Sequence, residues 1–176
     1  MKVVIISGSP RKNGNTQILM KYVFEYTKSK NVDTKLINLS DGQIECYKGP
    51  EEEYNEYTKN AANIIMDADV WLIGTPIYNS FFSSALKNLF EYINYKKTEG
   101  KVAGIVILAA GKIGFIDVQT LITQLLSYFR VITNPKAVFL TTESISESII
   151  SNDNDKQRLR ELVDETLRMA TKLHQD

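Results

Sequence analysis

Five short apolar runs, separated by stretches of helical periodicity, constrain this chain more than any other feature of its sequence. The runs are Val3–Ser7, Thr34–Leu39, Val70–Gly74, Val102–Ala109 and Ala137–Thr141. Most are rich in β-branched residues and lack clean apolar–polar alternation, the pattern of strands covered on both faces. Between them the apolar spacing changes to three and four. Ile18, Leu19, Tyr22, Val23 and Tyr26 fall on one helical face, and Tyr57, Ala61, Ile64, Ile65 and Ala68 on another. Leu86, Leu89, Phe90 and Ile93 repeat the pattern, as do Leu121, Ile122, Leu125, Leu126 and Phe129, and finally Leu159, Leu162, Val163, Thr166 and Ala170. Strict alternation of strand and helix predicts an α/β doubly wound parallel sheet with helices on both faces, its five strands in the order 2-1-3-4-5. Trp71, inside the third run, is expected in the core.

With 176 residues and no repeat, linker or break in composition, the chain is expected to form one domain over 1–176. Ser144–Asp155, rich in Ser, Asn and Asp, reads as an exposed loop or an irregular approach to the last helix. Glu51–Glu53 reads as a solvated acidic face. Lysine plus arginine and aspartate plus glutamate both number 21, so charge gives no support for nucleic acid or a membrane surface as partner. The N-terminal stretch reads as neither a signal peptide nor a spanning helix, and a cytoplasmic setting is expected. Cys46 is the sole cysteine and His174 the sole histidine. An intrachain disulfide and a cysteine zinc cluster are therefore excluded, and neither a Ser-His-Asp triad nor a multi-histidine metal site is expected.

Directly behind the first strand stands Ser7-Gly8-Ser9-Pro10-Arg11-Lys12-Asn13-Gly14-Asn15-Thr16, with a helix expected from about Thr16. A loop of this kind collects free backbone N–H groups at a helix N-terminus, which suits a phosphate. Ser9, Asn15 and Thr16 can donate further hydrogen bonds, Arg11 adds charge, and Gly14 permits a tight backbone. The loop lacks the Gly-Lys-Ser/Thr ending of a nucleoside-triphosphate loop and the G-x-G-x-x-G of a dinucleotide loop. Hydroxyl and amide donors fit a single terminal phosphate better, as in FMN. The alternative is an ordinary strand-to-helix turn with an Asn or Thr cap.

Ligands of such folds bind beyond the carboxyl ends of the strands, so the loops after strands three and four matter too. The first of these reads Gly74-Thr75-Pro76-Ile77-Tyr78-Asn79-Ser80-Phe81-Phe82-Ser83, and the second Ala109-Ala110-Gly111-Lys112-Ile113-Gly114-Phe115. Pro76 is expected to fix the start of a turn, which stiffens a wall for a flat ring. Amides near Tyr78 and Asn79 can meet a ring's polar edge, although Tyr78 alone could be a packing aromatic.

Gly8–Thr16, Thr75–Asn79 and Ser83-x-x-Leu86-Lys87-Asn88 together resemble the NAD(P)H-dependent FMN reductase family, which includes flavin, quinone, azo-dye and chromate reductases on a flavodoxin-like fold. The resemblance runs from about Val3 to Thr141. It implies that Ser9, Arg11, Asn13, Asn15 and Thr16 hold the FMN phosphate. Pro76, Ile77, Tyr78 and Asn79 would line the isoalloxazine ring, and Gly111 with its neighbours would close over the pyrimidine end. It further implies NADPH or NADH as hydride donor, a small-molecule electron acceptor, and a homodimer or homotetramer. Phe81, Phe82, Tyr92 and Tyr95, read as exposed aromatics, would suit such an interface.

Three departures stand out. Gly111-Lys112-Ile113-Gly114 replaces a glycine-rich run, and Lys112 there could either bring a cation to the ring edge or face solvent. Glu91 stands where an aspartate is common, and a single cysteine cannot build the iron–sulfur clusters of some relatives. Hydride transfer between nicotinamide and flavin needs little acid–base machinery, so the scarcity of histidine and cysteine is expected. A flavodoxin-like electron carrier and a non-catalytic FMN-binding redox sensor are the rival readings; carriers are usually strongly acidic, unlike this chain.

Overall fold

In the computed structural model, which describes residues 1–175, the chain runs β1 (Lys2–Ser7), α1 (Asn15–Lys28), β2 (Asp33–Asn38), α2 (Glu56–Asp67), β3 (Val70–Tyr78), β4 (Phe81–Phe82), α3 (Ser84–Phe90) and β5 (Val102–Ala109). It continues with α4 (Phe115–Tyr128), β6 (Ile132–Thr133), β7 (Val138–Thr141), β8 (Ile145–Ser146), β9 (Ile149–Ile150) and α5 (Asp153–Leu173). β2, β1, β3 and β5 pair in parallel in that order, and β7 continues the sheet beside β5. The five principal strands therefore stand as expected from the sequence. The fifth position is split: β6 pairs with the start of β5 and β7 with its end. Pro135 lies between them and offers no ladder N–H.

Alternate residues of each strand serve opposite layers. Val3, Ile5, Leu72, Val102 and Val106 pack with Leu19, Met20 and Val23 of α1 and Leu159, Leu162 and Val163 of α5. Val4, Ile6, Trp71, Ile73 and Ile105 pack with α2, α3 and α4 through Ile65, Leu86, Leu89, Ile122 and Leu126. Trp71 is fully buried, its indole N–H donating to the Ile65 carbonyl at 2.9 Å. β2 is the exception to two-sided burial. It forms the sheet edge, and within it only Ile37 is buried.

Several local expectations are corrected. The buried stripe of α1 also includes Met20 and Thr27, and Tyr22 and Tyr26 are half-buried at its edge, packed against the core. Their hydroxyls bind α5 there, Tyr22 accepting from Arg160 at 2.6 Å and Tyr26 donating to Asp164 at 2.9 Å. Ser144–Asp155 is not a loop throughout: β8 and β9 form a hairpin in it, with Glu147 and Ser148 both at positive φ as a tight turn requires. Pro76 lies within β3 rather than at the start of a turn, and the turn comes later, at Asn79–Ser80 before β4.

Of the aromatics expected at the surface, only Phe81 is exposed, at 46%. Phe82 is buried, and Tyr92 and Tyr95 are half-buried. Tyr92 packs edge-on against Tyr47 and Tyr54, and its hydroxyl donates to the Glu45 carbonyl at 2.8 Å. Asn88 completes this attachment of the β2–α2 connection to α3. It donates to the Glu45 carbonyl at 2.7 Å and accepts from the Tyr47 amide at 2.8 Å.

Two outcomes follow from this packing. A Cβ at Gly104 would lie 2.8 Å from the Thr166 hydroxyl and 2.9 Å from Leu72, where β5 meets α5. Gly104→Ala should lower the unfolding free energy by about 1–3 kcal/mol, measured by urea denaturation. Burial, followed by nearby Tyr54, Glu45, Cys46 and Tyr47, pushes the Tyr92 phenol up to about 12 from the usual 10.0. The neutral phenol is thus favoured by folding. Its contribution is complete below about pH 10 and lost as pH rises towards about 12, so stability measured by denaturant midpoint should fall across that window, and less so in Tyr92→Phe.

Candidate functional site

The order β2-β1-β3 sends the connections after β1 and β3 to opposite sides of the sheet, which opens a crevice at their carboxyl ends. Ser7 is in register with Gly74, and one residue later the Gly8 amide donates to the Gly74 carbonyl at 2.7 Å. A Cβ on Gly8 would lie 2.6 Å from that oxygen, so this approach requires glycine. Beyond it the loop curls on itself. The Arg11 amide donates to the Ser9 hydroxyl at 3.3 Å, Gly14 N–H to the Arg11 carbonyl at 3.2 Å, and Asn13 takes a positive φ of 55°.

α1 then begins without a side-chain cap, its N-cap being Gly14, and with no acidic residue in its first turn. α2, α3 and α5 differ: Asn55, Ser83 and Asn152 cap them by accepting from Thr58, Leu86 and Asp155 amides. The start of α1 therefore keeps the N–H groups of Asn15 and Thr16 and its positive dipole end for something outside the helix. Ser9 and Thr16 are each 2% exposed. Among the described residues the Thr16 side chain makes no hydrogen bond, the Arg11 guanidinium forms no ion pair, and the buried Ser7 hydroxyl has no partner at all.

A cleft of about 350 Å³ lies here. Ser9, Arg11, Asn13, Gly14, Asn15 and Thr16 line one end, and Pro76, Ile77 and Tyr78 with Leu108, Ala109, Ala110 and Thr142 line the other. One end is thus rich in hydrogen-bond donors and the other largely apolar, with strand ends as its floor. The Tyr78 hydroxyl lies 3.3 Å from that of Ser9 and joins the two walls. Tyr78 also borders a second groove of about 580 Å³, bounded by Tyr47, Asn79, Phe81, Phe82 and the Lys87–Glu91 ion pair.

Eight of the residues singled out in the sequence meet in the cleft: Ser9, Arg11, Asn13, Asn15, Thr16, Pro76, Ile77 and Tyr78. Three do not. Asn79 sits at the hairpin turn beside the second groove, and Gly111 and Lys112 are exposed in the connection between β5 and α4. A Cβ on Gly111 would meet nothing within 4 Å, so the protein's own packing does not demand glycine there. Leu108 and Thr142 were not foreseen, and Ala109 and Ala110 were named only as the start of the loop after the fourth strand. The small pair Ala109-Ala110 at a strand's end was a usable signal, whereas Thr142 follows the fifth strand, whose loop had no distinguishing composition.

The donor set fits a monoester phosphate and the apolar end a planar ring, so the residues present fit FMN. Among the described residues no group of three His, Cys, Asp or Glu side chains could hold a metal ion, and no helix is long and apolar enough to cross a membrane.

Residues 1–144 match the family model of the NADPH-dependent FMN reductases. An NAD(P)H-dependent FAD/FMN reductase from Geobacillus thermodenitrificans is 30% identical, covering 96% of this chain and 93% of its own. An FMN-dependent NADPH-azoreductase from Staphylococcus aureus is 26% identical over 88% of this chain and 79% of its own. In three dimensions the chain superposes on an apo NADH:FMN oxidoreductase with a TM-score of 0.80 at 19% identity, covering 99% of this chain and 91% of that one. By its sequence match, and with a flavodoxin-like fold to accord with it, this chain belongs to the NADPH-dependent FMN reductase family.

Proposed function

We propose that the cleft holds FMN and that the chain passes reducing equivalents from NADPH or NADH to a small-molecule acceptor of the flavin, quinone or azo class. The observation that carries this is the uncapped start of α1, with its unpartnered donors, at one end of an apolar slot. Bound FMN supplies the hydride-accepting chemistry; the chain supplies orientation and electrostatics. Ser9, Asn13, Asn15 and Thr16 donate to the phosphate with the α1 amides, and Arg11 adds a charge-assisted bond. Pro76, Ile77 and Tyr78 hold the ring, with Asn79 at its rim. Gly111 and Lys112 approach the pyrimidine end from the β5–α4 connection. Lys112 is exposed there, and we read it as a rim residue rather than a cation at the ring edge. No protein acid or base is needed beside the ring, which matches a site without histidine or cysteine.

One FMN-binding domain over residues 1–176 in the cytoplasm accommodates this reading. We also propose a homodimer or homotetramer. α4 contains one charged residue, Asp117, and leaves Ile116 and Tyr128 exposed at 65% each, next to Ile113 at 90%. Apolar surface of this kind beside a cleft suits a second copy. Sedimentation of the active protein should give at least twice the chain mass; a monomer with full turnover refutes the assembly.

The reductase reading is tested anaerobically by mixing protein, FMN and NADPH and following flavin absorbance. Protein-dependent bleaching is expected, with NADH run in parallel to rank the two donors. FMN binding without bleaching by either donor would favour the electron carrier or redox sensor instead. Arg11→Ala should weaken FMN binding about tenfold, as loss of one hydrogen bond to a charged group would.

A further inference from the structure

Ser83, the residue before α3, is fully buried and makes more bonds than a helix cap requires. Its hydroxyl accepts from the Leu86 amide at 3.0 Å, which caps α3, and donates to the carbonyl of Gly8, 75 positions away in the chain. Its own N–H donates to the Thr75 hydroxyl at 3.2 Å, and that hydroxyl donates on to the Pro76 carbonyl at 3.1 Å. Ser83, the last residue of the connection after β3, thus bonds both to the loop after β1 and back to the β3 end of its own connection.

The bond to Gly8 has a directional consequence. No peptide among the described residues is cis, so the carbonyl of Gly8 and the N–H of Ser9, which share one planar unit, point to opposite sides. α3 packs on the sheet face of Val4 and Ile6, and α1 on the face of Val3 and Ile5. Holding the Gly8 carbonyl towards α3 therefore turns the Ser9 N–H towards the side on which α1 begins. Ser9 is 2% exposed, yet its N–H has no hydrogen-bond partner among the described residues. A buried, unpartnered amide is costly unless a ligand or water accepts from it. Were the peptide free to rotate, the carbonyl oxygen could face the cleft, and its negative dipole end would repel an anion.

We propose that Ser83 is a positioning residue for the cofactor phosphate: by binding the Gly8 carbonyl, it aims the Ser9 amide into the phosphate end of the cleft. The inference rests on the FMN reading above. A plain cap would support FMN and riboflavin binding equally, because it would act through overall stability. A residue that aims an amide at the phosphate affects only the ligand that carries one.

The test is a fluorescence titration of FMN and of riboflavin against the unaltered protein, Ser83→Ala and Ser83→Cys. The unaltered protein should prefer FMN. Both variants should lose about tenfold in that preference, with riboflavin affinity unchanged. Ser83→Cys keeps the side chain's shape with a weak donor and carries the test alone if Ser83→Ala does not fold. In parallel, the Ser9 amide resonance should shift on titration with inorganic phosphate in the unaltered protein and not in the variants. An unaltered FMN-to-riboflavin ratio in a folded variant overturns the proposal. Failure of the unaltered protein to prefer FMN overturns the phosphate reading beneath it.

Discussion

Between the carboxyl ends of β1 and β3, the Gly8 amide meets the Gly74 carbonyl at 2.7 Å, and both backbones come closer than side chains would allow. A Cβ on Gly74 would fall 2.2 Å from the sulfur of Met20, so α1 also closes on this point. Two glycines, one from each strand, therefore let three elements converge where the sheet order reverses. The loop after β1 has little choice of direction beyond that contact. It can only curl over the start of α1, and its donors gather there as a result.

Helix ends elsewhere in the molecule are satisfied by its own side chains. Asn55, Ser83 and Asn152 each accept from an amide of the first turn, an arrangement worth about 0.5–2 kcal/mol per helix. α1 and α4 begin instead at Gly14 and Gly114, neither of which can cap with a side chain. Gly14 lines the cleft, and Gly114 lies close enough to Ile77 for a Cβ there to make ordinary contact at 3.7 Å. Both uncapped starts thus stand by the residues read as cofactor contacts. Stability is withheld from those two termini in the ligand-free chain, and a ligand that accepts from them returns it on binding.

The sequence made the layers legible because β-branched runs and helical stripes are long-range patterns, repeated five times. It was weaker wherever a few residues decide the outcome. β3 extends four residues past Gly74 because Thr75 and Pro76 remain paired with Ile107 and Leu108 of β5, which composition alone does not disclose. β4, β8 and β9 are two residues each, too short to carry a period. Tyr22 and Tyr26 satisfied the apolar stripe of α1 but have hydroxyls that reach Arg160 and Asp164, so they lie at the stripe's edge. The donor-rich end of the cleft was legible because its residues are contiguous. Its other end draws on β3, β5 and the residue after β7, and Thr142 joins it only through folding.

Pro76 keeps open the edge of β3 that borders the cleft. In a strand, a residue's N–H and C=O point to one side and those of its neighbour to the other, so Pro76 faces the same way as Gly74. Gly74 accepts from Gly8 and therefore faces β1. β1 ends in register with Gly74, and Pro76, two residues further, would direct its N–H into the space β1 has left. Having none, it leaves no unpaired donor there and offers β1 no donor with which to continue the ladder. Its carbonyl is satisfied by the Thr75 hydroxyl rather than by a strand. On its other side β3 stays paired with β5 through Leu108, so the strand remains rigid while one edge is released. A proline at this position turns the edge of a central strand into an apolar wall of the cleft.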